Sequence, residues 1–138
     1  MQTQNYGRIL VAELVGTAVL MLGGPGVAIL AGDRVGVIGI SLGFGFALMI
    51  MAYCIGPISG CHINPAVSLG MWLARRVDGR HAVAAVIGQL IGAVAGAAMI
   101  WGIARGNGSF ARQNFASNGY DRLPLPDRIV PDVDGQPF

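Results

Sequence analysis

An all-α membrane protein is the fold class this sequence predicts, and three observations predict it. The 138 residues are 54% hydrophobic and only 12% charged, with a mean hydropathy of +0.61; soluble domains carry about 25% charged residues. The apolar residues fall in long blocks. Most of the 22 glycines lie inside those blocks, where glycine lets helices approach closely in lipid.

Residues 9–31 form the first expected span. At ~1.5 Å per residue they reach across a hydrocarbon core ~30 Å thick. Glu13 interrupts this block and no small-residue cleavage site follows it, so it reads as a retained span and not a signal peptide. Pro25, among glycines, predicts a kink near the far end. Gly32, Asp33 and Arg34 read as a short connection. Residues 35–56 form a second span, with Gly39 and Gly43 in GxxxG spacing. Residues 57–64 are expected as a loop, 65–74 as a short apolar helix and 82–104 as the third span. Gly88, Gly92 and Gly96 repeat every four residues along one side of that span, a packing seam within the chain or between copies. From Arg105 onward the sequence turns polar and is expected to be irregular and solvent-exposed, with Pro124, Pro126, Pro131 and Pro137 near its end.

The net charge is +2. Every basic residue is an arginine, and none of their groupings is dense enough for nucleic acid. Cys54 and Cys61 fit neither a zinc pattern nor CxxC, and His62 has no second ligand nearby, so no metal or cofactor is expected. The spans hold one carboxylate and no nucleophile–base pair, which argues against an enzyme. Two crossings put Arg8 and the Arg75–Arg80 segment on one side, and the positive-inside rule makes that side cytoplasmic. The tail then emerges outside, although Arg105 and Arg112 close to the last span pull against this.

The helix at 65–74 is ~15 Å long, half the hydrocarbon thickness. Arg75 and Arg76 belong at the water interface and suit the negative end of its dipole. Its other end, at Asn64 and Pro65, therefore falls near the midplane, and the loop must dip in from the cytoplasmic side. Irregular backbone is tolerated at that depth only when buried in protein or lining a watery cavity. Proline suits the first helical position. Asparagine caps the helix through its carbonyl, which leaves its NH2 free to donate. A donor beside a positive dipole end favours water and opposes cations and protons. The competing reading is an ordinary capped surface helix; the half length, uncharged flanks and arginine stop weigh against it.

"SGCHINPAVSLG" at 59–70 resembles the first pore loop of the aquaporin (major intrinsic protein) family, S-G-x-H-x-N-P-A-V. "AELVGT" around Glu13, "GFGFALMIMAY" and "GQLIGAVAGA" resemble its first three helices. "NFASNGYD" at 114–121 is similar to sequence that follows the third helix in bacterial water-channel members. The resemblance implies an aquaporin-like half: three transmembrane helices plus one re-entrant half-helix. It implies that Asn64, in the triplet with Pro65 and Ala66, donates to single-file water. The carbonyls of Gly60, Cys61 and His62 would line the cytoplasmic half-pore. Phe44 would match the outer aromatic that narrows the pore against glycerol; without the family, a core or lipid-facing aromatic serves equally well. Glu13, an ionisable group inside a span and so a functional candidate in its own right, would accept hydrogen bonds from the loop backbone. Gln89 reads as a helix–helix hydrogen-bond former that helps hold the loop.

The resemblance covers residues 9–121. A family-like repeat is therefore expected over 1–121 and a non-family polar tail over 122–138, where "RLPLPDRIVPDVDGQPF" cannot cross a membrane. The abrupt change reads as an altered reading frame or a truncated product. The expectation is a passive water channel, selective over glycerol, in an inner bacterial membrane, present as an N-terminal half that is inactive alone. Its partners would be membrane lipid, water as substrate, further copies of itself (a tetramer in the family) and a complementary C-terminal half. The alternatives are a half-channel that conducts when paired, or a non-conducting structural protein.

Overall fold

The structure, a computed structural model, describes residues 5–106. Among them all regular structure is helical: α1 (Tyr6–Met21), a π-helical turn (Leu22–Gly26), α2 (Val27–Ser59), α3 (Pro65–Leu73) and α4 (Gly79–Gly106). Two helical stretches, Tyr6–Ser59 and Gly79–Gly106, are apolar and long enough to cross a membrane. The first is 54 residues long, about 81 Å of helix and more than twice the hydrocarbon thickness. The tail, including Arg112 and the segment at 114–121, lies outside the described residues.

Asn5 caps α1 by accepting the Arg8 N–H at 3.2 Å. The kink expected at Pro25 takes the form of the π-helical turn. A proline has no N–H and its ring crowds the carbonyl four residues back; a widened turn absorbs both. The break expected at Gly32, Asp33 and Arg34 instead falls at Gly36 (φ 61, ψ −173), a conformation open only to glycine. There the chain reverses, and α2 returns antiparallel along α1. Gly23 meets Ala47, Gly24 meets Phe44 and Gly16 meets Ile55.

The loop expected to begin at residue 57 begins later, because α2 continues through Pro57 to Ser59. So near a helix end, proline costs only one of the last few backbone bonds. Gly60 then stops the helix in the left-handed region, its N–H donating to the Gly56 carbonyl at 2.9 Å. α3 ends with Arg75 left-handed (φ 58). The Arg75 N–H reaches the Trp72 carbonyl and the Arg76 N–H the Met71 carbonyl, each at 2.9 Å, which is a Schellman stop. Asp78 caps α4 by accepting the His81 N–H at 2.7 Å.

α1 is central, with α2 on one side and α4 on the other, and α3 rests on α4. α1 and α4 run parallel. A Cβ on Gly88 would overlap the Leu10 carbonyl, one on Gly92 the Leu14 carbonyl, and one on Gly96 would collide with Met21. The glycine seam thus faces α1 of the same chain and is not open to a second copy. Much of the remaining apolar surface faces outward: Val37 is 80% exposed, Ile38 78% and Tyr53 82%, a pattern for lipid or helices and not for water.

Candidate functional site

The segment between α2 and α3 is built on backbone that side chains resist. Gly60 (φ 86), Cys61 (φ 52) and Ile63 (φ 37) are all left-handed. For a β-branched residue such as Ile63 this is a true outlier. Strained residues of this kind cost about 1–3 kcal/mol each and persist only where their surroundings over-determine them.

Glu13 supplies that constraint. Its side chain is fully buried on α1. Oε1 accepts the Ser59 hydroxyl at 2.6 Å and the His62 N–H at 2.9 Å. Oε2 accepts the Ile63 N–H at 2.6 Å and the Gln89 Nε2 at 2.7 Å. Four donors from three elements fill both oxygens, the acceptor-only pattern of a carboxylate. Gln89 Nε2 also donates to Ser68 Oγ at 2.9 Å, and that hydroxyl lies 3.0 Å from His62 Nδ1. Ser59 Oγ accepts the Cys61 N–H at 3.2 Å. His81 Nε2 stands 3.0 Å from the Ser59 carbonyl, and its ring centroid is 5.5 Å from that of His62.

Every loop N–H from Cys61 to Ile63 is therefore bound inward. The carbonyls of Gly60, Cys61 and His62 accept no hydrogen bond from a described residue. Asn64 follows as the cap of α3. Its Oδ1 accepts the Ala66 N–H at 2.8 Å, its Nδ2 donates to no described residue, and the residue is exposed. Pro65 occupies the first helical position. The result is a short row of free acceptors leading to one free donor at the positive end of a nine-residue helix.

Of the residues singled out in the sequence, Gly60, Cys61, His62, Asn64, Pro65 and Ala66 form this segment, and Glu13 and Gln89 hold it. Phe44 lies elsewhere, its ring packed on Gly24 of the π-helical turn. Three members were not anticipated: Ser59, Ser68 and His81. Two serines in an uncharged stretch look like neutral filler, and His81 sits in a polar turn; only the fold brings them to Glu13.

The model of the major intrinsic protein family matches residues 1–123. The chain belongs to that family. Aquaporin Z of Brucella melitensis biotype 1 is 43% identical over 116 residues, 81% of this chain and 51% of the relative. Aquaporin Z of Rhodopseudomonas palustris is 42% identical over 125 residues, 87% of this chain and 50% of the relative. The chain spans about half the length of the curated relatives it matches. Family membership and the apolar helices together make it an integral membrane protein of the aquaporin family.

Proposed function

We propose that the chain builds the N-terminal half of a passive channel selective for water over glycerol, and that these 138 residues do not conduct alone. One observation carries this reading: the loop's N–H groups are bound inward to Glu13 and Ser59, while three carbonyls and the Asn64 amide nitrogen have no hydrogen-bond partner among the described residues. Water passing the row would donate to the carbonyls of Gly60, Cys61 and His62 and then accept from Asn64. Reversal of hydrogen-bond direction at a positive helix end opposes cations and protons. In this reading α3 is re-entrant, its N-terminus near midplane and its arginine stop at the cytoplasmic face of a bacterial inner membrane. Phe44 precedes Gly60 by sixteen residues of α2, about 24 Å of helix, which suits an outer constriction.

Polar loop edges at that depth need a protein wall. A second half bearing another NPA loop supplies it, and a parallel second copy does not, because both half-helices would then enter from the same face. Osmotic water permeability of liposomes holding the chain alone should equal that of empty liposomes. It should rise when the complementary half is reconstituted with it, stay low for glycerol, and fall on mercurial treatment unless Cys61 is replaced by serine. A clear rise with the chain alone, lost in Asn64→Asp, rejects the need for a second half.

A further inference from the structure

We propose that Ser68 is a positioning residue: its hydroxyl sets the rotation of α3 about its own axis, and with it the direction in which Asn64 donates. The inference rests on the pore-loop reading for its effect on water, and on geometry for the rotation itself.

α3 is a short helix with little else to hold its rotation. Ser68 is its one buried residue, and it is fully buried. Val67, Leu69, Trp72 and Leu73 are all exposed. A helix that is apolar on every side finds no preferred face among apolar neighbours, because lipid and side chains attract it alike. A polar contact does distinguish one rotation from another, since turning it away leaves buried polar groups unpaired.

The contact is fixed in direction. Glu13 Oε2 accepts from Gln89 at 2.7 Å, so the amide atom that faces it is the nitrogen. That nitrogen has a second proton, and Ser68 Oγ accepts it at 2.9 Å. The same hydroxyl lies 3.0 Å from His62 Nδ1. A hydroxyl both donates and accepts, so this bond forms with either tautomer of the ring. One side chain of α3 thus meets α4 and the loop at once, and Gln89 ties it to the carboxylate of α1. Ser68 also lies one turn after Asn64, with its N–H on the Asn64 carbonyl at 3.1 Å. Residues four apart share a helix face. Rotating Ser68 off Gln89 therefore swings the Asn64 cap by the same angle, while the loop amides stay on Glu13 and Ser59. The donor at Asn64 then leaves the line of the carbonyls before it.

The test is solid-state 15N NMR of the full chain in oriented lipid bilayers, in reducing buffer. The 15N–1H couplings of Val67, Leu69 and Met71 read the rotation of α3 directly. The parent should give one set of signals. Ser68→Ala should lose that set, by a shift to a new rotation or by splitting into several, while the signals of α1 and α4 stay in place. Ser68→Cys, close to serine in size but a weak hydrogen-bonding group, should lose it too, which separates the hydroxyl from the volume it fills. Leu69→Ala removes an exposed apolar side chain and should keep the parent set. An unchanged set in Ser68→Ala or Ser68→Cys overturns the proposal. So does an equal loss in Leu69→Ala, and so does a displacement of α1 and α4 as large as that of α3, which would be general destabilisation. With the complementary half, Ser68→Ala should lose osmotic water permeability in proportion to the signal that leaves the parent set, at equal amounts of assembled pair; full permeability despite that loss overturns the link to Asn64. A parent pair that does not conduct removes the pore-loop reading and leaves the α3 spectra to decide the role of Ser68.

Discussion

Glu13 and Leu14 are neighbours on α1, yet they meet α4 in opposite ways. Leu14 offers Gly92 a backbone carbonyl so close that no Cβ fits between them. Glu13 offers Gln89 a carboxylate that accepts its amide at 2.7 Å. The first contact sets the distance between the helices by exclusion and has no direction. The second sets orientation, because each carboxylate oxygen must meet two donors from different elements. The spacing is needed for the polar contact to form, since a hydrogen bond at 2.7 Å does not survive a helix shift of an ångström. The polar contact in turn gives the seam its register. A membrane protein cannot rely on apolar segregation between its helices, and here it combines steric spacing with one saturated buried acceptor.

Removing the acceptor should have the largest effect. Glu13→Ala leaves the buried His62 and Ile63 N–H groups with no acceptor, while the Ser59 hydroxyl keeps the Ile55 carbonyl at 3.4 Å and Gln89 Nε2 keeps Ser68 Oγ; at about 1–3 kcal/mol for each unpaired group, a loss of at least about 2 kcal/mol is expected. Protease-resistant, membrane-inserted protein should fall sharply. Glu13→Gln, whose NH2 faces donors on one side, should lie between; equal abundance and resistance in Glu13→Ala and the parent would remove the carboxylate from this role. Next comes the spacing: Gly92→Ala pushes a methyl into the Leu14 carbonyl and should cost about 1–3 kcal/mol by overpacking. Gly102→Ala, with nothing within 4 Å of its Cβ, should instead stabilise by up to about 1 kcal/mol through helix propensity. Melting both in one detergent decides the matter, and similar shifts would mean that the seam does not set the separation.

A smaller effect is expected of Gly24→Ala, because the obstructing group is the movable ring of Phe44. Stability should change by less than about 1 kcal/mol, while glycerol exclusion by the proposed two-half channel should change measurably; unchanged exclusion would take Phe44 out of the proposed constriction. The smallest concerns Asp78. The His81 backbone N–H holds its carboxyl below the ordinary value, and the Tyr6 hydroxyl adds to this while desolvation opposes it. A carboxyl lowered in the folded state stabilises it above the ordinary value of about 3.9, and that stabilisation is lost as pH falls through the folded value. Fraying at the start of α4 should appear only below about pH 4, and Asp78→Asn should show no acid transition in the circular dichroism of the helix end.

What sequence alone could supply divides along the same line. Asn64, Pro65 and the half-length helix were legible because caps and helix length are local. The glycine seam was legible as a stripe, but not the face it meets. The π-helical turn, the reversal at Gly36 in place of Gly32–Arg34, and the passage of α2 through Pro57 were not read, because packing decides how a helix absorbs a proline or a glycine. Glu13 stood out as a charge in an apolar block. Its partners Ser59 and Ser68 did not, since nothing in an uncharged stretch distinguishes a serine that holds a loop from one that fills space. The contact of His81 Nε2 with the Ser59 carbonyl joins residues 22 positions apart, across an intervening helix.

The parallel pairing of α1 with α4 also has a consequence in time. Leu10 and Gly88, which touch, are separated by 88 − 10 = 78 residues. A ribosome adding 5–20 residues per second needs roughly 4–16 seconds to deliver the second after the first. During that interval α1 is already made, while the loop donors are complete only 63 − 13 = 50 residues after Glu13 and Gln89 follows 89 − 13 = 76 residues after it. An ionisable group inside a span is costly in hydrocarbon, so the order of synthesis leaves the Glu13 carboxylate of α1 uncompensated for seconds before its partners arrive.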